Sequence, residues 1–239
     1  MQSTEPKDVL TITNRLDKSA VGIVRAVRID PTLADPDFDR ELEALLESRR
    51  GDLPPDLEEV RLASRNMLRN GAYKPTGRGK PASEYLLRAA QDPPSFPRVN
   101  WPVDVCNFIS LKYLMPISIW DVDAAGSVEY LFRLGHPGEE YVFNSAGQVI
   151  SLQDLAVGCS LSTGQGSEGI PIVNPVKDSM KTKTGPSTRH VAAAIYAPVT
   201  VGSAGLKEAC AEFADWLGRG PLTAYTTLMM LKPGESSSC

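Results

Sequence analysis

The feature that most constrains this chain lies near its end, where HVAAAIYAPVT, GLKEACAEFADWLG and LTAYTTLMMLKP follow one another. The outer two segments are apolar and β-prone. In the middle one, Leu206, Cys210, Phe213, Ala214 and Leu217 recur at helical spacing. An apolar helical stripe between two buried strands must cover a sheet, so the ending reads as strand, helix, strand and the fold class as α/β.

The rest of the chain supplies more of both periods. Residues 9–29 hold two short β-prone runs separated by a polar turn, an early hairpin or two sheet strands. Phe38, Leu42, Leu45 and Leu46 predict a helix entered through Asp35-Pro36 and stopped at Gly51. A second helix spans DLEEVRLASRNMLRNG, with Gly71 as its exit, and PASEYLLRAAQ is a short third one. Asn100 can cap WPVDVCNFISLKYLM, which Pro116 ends. Beyond it, ISIWDVD, VEYLFRL, EEYVFN and QVISL read as short strands of a meandering antiparallel or mixed sheet. Residues 158–170 are the most turn-rich stretch, a pocket rim or an ordinary glycine-rich connection. The residues after Pro233 are expected to fray. With no repeat and no sharp change in composition, the 239 residues predict one domain.

Composition bounds the function. Hydrophobic residues make up 42% and charged residues 23%, which suits a globular chain. The first residues turn polar at once and no apolar run approaches the roughly 20 residues of a membrane-spanning helix, so a cytoplasmic location and no membrane partner are expected. A net charge of −4 argues against non-specific DNA binding. It leaves room for local basic faces: Arg61, Arg65, Arg69, Lys74, Arg78 and Lys80 form one cationic stretch, and Lys177, Lys181, Lys183, Arg189 and His190 another. Either is a solvated surface or a phosphate-binding one.

Common catalytic signatures are missing. GRGKP at residues 77–81 lacks the glycine spacing of a phosphate loop, His136 and His190 belong to no zinc-ligand run, no GxSxG elbow occurs, and Cys106, Cys159, Cys210 and Cys239 are scattered. No metal and no cofactor are expected. What remains is polar residues in apolar surroundings: Asp104, Asn107 and Ser110 on one helix, and Asp121, Asp123 and Asp154 near turns. Each either ties backbone together or lines a site.

Residues 69–123 add a more specific pattern. Gly71, Pro75 and Thr76 are followed by Ser83, Glu84, Leu86 and Leu87, then by Asn100, Val103, Asp104, Asn107, Ser110 and Leu111, with Pro116, Asp121 and Asp123 after the helix. Further on come Gly138, Glu139 and Tyr141, then Asp154, and PVKDSMKTKTGPST with Asp178, Ser179, Thr182, Thr184 and Thr188. Over about residues 60–200 this resembles the B3/B4 family, the tRNA-editing module of the phenylalanyl-tRNA synthetase beta subunit.

The resemblance implies a B3/B4-like α/β fold, a mixed or antiparallel sheet covered by helices. It also implies an editing activity in which water hydrolyses the ester of a mischarged aminoacyl-tRNA without metal or covalent intermediate. The partner would be the tRNA acceptor end or its aminoacyl group. On this sequence it points to Asn107, Glu139, Thr182 and Thr184 as catalytic, Thr182 and Thr184 donating to the ribose or carbonyl and Glu139 orienting an amine or a water. Asp104, Ser110, Arg69, Lys74, Lys181 and Lys183 would bind substrate. A non-catalytic binder of an amino acid or aminoacyl-tRNA is the alternative, since no nucleophile, base or metal set is recognisable, and a purely structural module is a third.

Overall fold

A computed structural model describes residues 9–161 and 167–238. The chain forms β1 (Thr11–Asn14), β2 (Ser19–Val27), α1 (Pro36–Ser48), α2 (Pro55–Met67), α3 (Ala82–Ala89), α4 (Trp101–Tyr113), β3 (Ile117–Asp121) and the single turn α5 (Val122–Ala125). There follow β4 (Glu129–Leu134), β5 (Glu140–Val142), β6 (Val149–Ser151), β7 (Ala156–Ser160), β8 (Ile170–Val173), β9 (His190–Pro198), α6 (Ala204–Gly218), β10 (Tyr225–Leu231) and β11 (Ser236–Ser238). The fold is α/β, with sheets packed against helices.

Two sheets take every strand but β5 and β6, which pair with each other as a two-stranded antiparallel hairpin. One runs β10-β2-β9-β3 and is antiparallel throughout; the other runs β11-β1-β4-β7-β8 and is mixed, with β1 parallel to β4. Side-chain alternation divides the four-stranded sheet between two cores. Val24, Ala26, Ala193, Ile195 and Ala197 face the helices, where Phe38, Trp101, Phe108 and Trp216 pack edge-on or tilted at centroid distances of 5.1–6.5 Å. Val21, Ile23, Ala192, Ala194 and Tyr196 face the second sheet and meet Trp120, Tyr130 and Phe132. The result is three layers: helices, sheet, sheet. Gly22 lets α6 approach the sheet closely, because a Cβ there would overlap Cys210 and Leu206 of that helix.

The strand, helix, strand ending forms as expected, but β9 and β10 are not neighbours, for β2 lies between them and pairs with both. The early hairpin does not form. β1 and β2 enter different sheets, and Asn14 at their junction donates to the Ser19 carbonyl at 2.9 Å and accepts from Leu16 N at 3.0 Å, turning the chain from one sheet to the other. Residues 236–238 do not fray either: β11 pairs with β1, and the Ser236 and Ser238 hydroxyls bond those of Thr13 and Thr11. Within ISIWDVD the strand ends at Asp121, whose carboxylate accepts Ala124 N at 2.9 Å and starts α5. In the turn-rich stretch 158–170, residues 158–160 belong to β7, and residues 162–166 lie outside the described residues.

Candidate active site

Two segments meet at the free edge of β3. The first is α4. Asn100 caps it by accepting Val103 N at 3.2 Å, and its amide donates to Thr184 Oγ1 at 3.1 Å, fastening the helix N-terminus to the threonine-rich segment. Leu114 takes a left-handed conformation with φ 52° and the chain turns at Pro116 into β3.

The second is the turn after β8. Asn174 is fully buried; its side-chain oxygen accepts Val176 N and Lys177 N, both at 2.7 Å. Its amide reaches the Tyr141 hydroxyl, which itself donates to the Lys177 carbonyl at 2.8 Å. Asn174 and Tyr141 thus close the NPVKD turn from inside and from the β5 side.

The closed turn presents Asp178 to β3. As an edge strand, β3 leaves backbone donors unpaired by the sheet. The Asp178 carboxylate accepts Ile119 N at 3.1 Å and Asn174 N at 3.2 Å. No cation pairs with it among the described residues at ion-pair distance. Burial pushes its carboxyl from the ordinary 3.8 up to about 7, against the opposing pull of the Ile119 and Asn174 N–H groups, the Ser118 hydroxyl and the charge of Lys183.

Beside it opens a cavity of about 260 Å³, with an aliphatic wall from Val99, Val103, Ile117, Ile119 and Val176 and polar groups from Asn107, Asp178, Lys183 and Thr184. That is close to the ~300 Å³ lower end of ligand pockets, room for an amino-acid-sized group. Cys106 also lines it, a neutral thiol held well above its ordinary pKa by burial and by the nearby Asp178. A larger recess of about 620 Å³ lies elsewhere, between Lys18, α2 and Pro198, and holds none of the expected site residues.

The expected residues divide accordingly. Asn107, Lys183 and Thr184 come together on the cavity, joined by Asp178, which the motif contained but which had no assigned role. Asp104 points elsewhere: its carboxylate accepts Arg98 Nε at 2.8 Å and Val99 N at 2.7 Å, tying α4 to the preceding loop. Ser110 donates to the Met115 carbonyl at 2.8 Å and fixes the helix end. Thr182 is buried, off the cavity lining, with its hydroxyl unpartnered among the described residues.

Glu139 is clamped by the Arg133 guanidinium at 2.6 and 2.8 Å and by His136 N at 2.7 Å. Burial raises its carboxyl, but the Arg133 and His136 hydrogen bonds outweigh that and leave it below its ordinary value. Arg69 bonds Asn66 on α2, while Lys74 and Lys181 are exposed away from the cavity wall. Asp121, Asp123 and Asp154 are also engaged, by Ala124 N and Thr188, by His190, and by Ala72 N. The first cationic stretch is partly neutralised, since Arg61 and Arg65 both pair with Glu84.

No known family model matches the chain, and no curated protein matches it. No helix among the described residues is long and apolar enough to cross a membrane.

Proposed function

We propose that the chain hydrolyses the ester of a mischarged aminoacyl-tRNA in trans, with the aminoacyl group in the cavity beside β3, as a freestanding relative of the B3/B4 editing module acting in the cytoplasm. The observation that carries this reading is a carboxyl group with no cation at ion-pair distance among the described residues, Asp178, on an amino-acid-sized cavity that also displays Asn107, Lys183 and Thr184. A group that titrates near neutrality can both take and return a proton at the working pH.

In this reading Asp178 takes a proton from water as the water oxygen attacks the ester carbonyl. The Asn107 amide, the Thr184 hydroxyl and the Lys183 ammonium are the donors available to the oxyanion that develops. Collapse breaks the bond to the ribose oxygen, which recovers the proton from Asp178 and leaves as a hydroxyl. An activated ester needs positioning more than a covalent nucleophile, so the absence of a triad motif is no obstacle. The aliphatic walls suit an amino-acid side chain.

One observation favours the second reading, a non-catalytic amino-acid binder: Asp178 already accepts two backbone N–H groups and would serve equally to anchor an ammonium group. A panel of correctly and incorrectly charged tRNAs, followed for ester loss, separates the two. The hydrolytic reading expects turnover of at least one mischarged species. Saturable amino-acid binding with no ester loss above buffer would replace it with the binder.

A further inference from the structure

The four-stranded sheet has two edges, and the cavity takes up only one of them. β3 is met by Asp178; at the opposite edge stands β10, with no strand on its outer side among the described residues. An edge strand offers alternate backbone N–H and C=O groups to a strand of another chain, so edges are normally blunted by short length, charge, proline or cover. The other edges of this protein follow that rule. Asp178 takes the Ile119 donor of β3, β8 contains Pro171, and β5, β6 and β11 are three residues long. β10 does not follow it: its seven residues, YTTLMML, hold no charge and no proline. Tyr225, Leu228 and Met230 are exposed along it, as is Leu222 just before it.

The strand is also complementary to itself. About a two-fold axis normal to the sheet, two antiparallel copies keep their layers in line only where opposed residues lie on one face. The longest such overlap is centred on Leu228, which meets its own copy while Met230 meets Thr226 of the second chain. Neither pair sets like charges against each other.

Helix α6 leaves room for the pairing. It rests on Gly22 of β2 and, through Gly218, on Thr226 of β10, so it lies over both strands. With strands about 4.8 Å apart, the two-fold brings two copies of α6 to roughly 10 Å, an ordinary distance for packed helices. The side of α6 turned to the seam is that of Gly218, and helical spacing puts Ala214 and Ala211 on the same side. Small residues there permit the approach. Lys207, the charge on that side, lies at the outer end, where the axis carries its two copies apart.

We propose that the chain forms a two-fold dimer by antiparallel pairing of β10 with its own copy, which joins the two four-stranded sheets into one with α6 beside α6 across the seam. The cavities lie at the far edges of the joined sheet and stay open, so the dimer does not depend on what they bind.

Sedimentation velocity of the full chain over a wide concentration range should show a reversible step from 25.9 kDa to twice that mass. Leu228→Lys places two ammonium groups opposite each other and should raise the dissociation constant about tenfold or more, and Met230→Lys breaks the seam at a second point. Thermal unfolding at low concentration shows whether each variant keeps its fold; if one does not, the other decides. Leu228→Cys in a Cys239→Ser background should cross-link to a dimer under a mild copper oxidant, whereas Glu43→Cys on the exposed side of α1 should not.

A monomer at every concentration overturns the proposal. So does a dimer that folded lysine variants leave intact, a dimer that does not cross-link through position 228, or open-ended polymers in place of a closed pair.

Discussion

Glu139 and Asp178 are two carboxylates placed by similar means and held in opposite states. Both follow a β-strand segment and both accept backbone N–H groups. Glu139 also has a buried guanidinium against it, and its carboxyl is held below the ordinary value. Asp178 has only backbone and hydroxyl donors at hydrogen-bond distance, and burial prevails. The presence of a cation at contact distance decides which carboxylate is a strut and which is available to chemistry.

The largest effect that would sharpen this contrast is on turnover. Asp178→Asn should lower deacylation about 10²-fold or more, within the range of general acid–base catalysis, while unfolding remains cooperative. Glu139→Gln should leave turnover within a few-fold. Equal losses in the two variants would erase the distinction.

Stability should respond the other way round. Glu139→Gln leaves the nearly buried Arg133 guanidinium without its bidentate partner, and denaturant titration should show a loss of roughly 1–3 kcal/mol, reduced from the full cost of an orphaned buried charge because Glu139 is partly exposed.

The pH dependence carries opposite signs for the two groups. Unfolded Asp178 ionises near 3.8 and folded Asp178 near 7, so the folded state holds the extra proton between those values. Its contribution to stability therefore falls as pH rises from about 4 to about 7 and is level above that. The Asp178→Asn variant should lack this descending limb. Glu139, held below its ordinary 4.5, contributes stability that is present above that value and is lost as pH falls through its folded value. Glu139→Gln should flatten the acid limb. Chemical denaturation of the three proteins at a series of pH values measures both.

The smallest effect is at the hinge between the segments. Asn100→Ala removes the cap of α4 and the tie to Thr184, and should cost about 1 kcal/mol with a modest fall in turnover. Melting temperature and a single-substrate rate are enough to detect it.

The two carboxylates also mark what a sequence reading can reach. Helices α1 and α4 were legible from their local caps, Asp35 and Asn100, and α6 from its apolar spacing. The partners of β1 and β2 were not, because they lie far along the chain, and β11 is a run of serines whose pairing depends on backbone and hydroxyl groups rather than apolar alternation. At the site, Asn107, Lys183 and Thr184 could be picked from their pattern, and Asp178 stood in the same motif. Its character could not be read there, since the donor that orients it, Ile119 N, comes from an edge strand 59 residues earlier. The engagement of Glu139 escaped the sequence reading although its partner is near: Arg133, only six residues before it, turns back across the strand end and bonds both its oxygens.

Carboxyl carbon chemical shifts of the intact protein, followed by NMR from pH 3 to pH 9 and assigned by Asp178→Asn and Glu139→Gln, reach the central claim most directly. Asp178 should titrate near 7 and Glu139 below its ordinary value. An Asp178 carboxyl fully ionised by pH 5 would contradict the account, because the cavity would then hold a fixed charge and no proton acceptor suited to neutral pH.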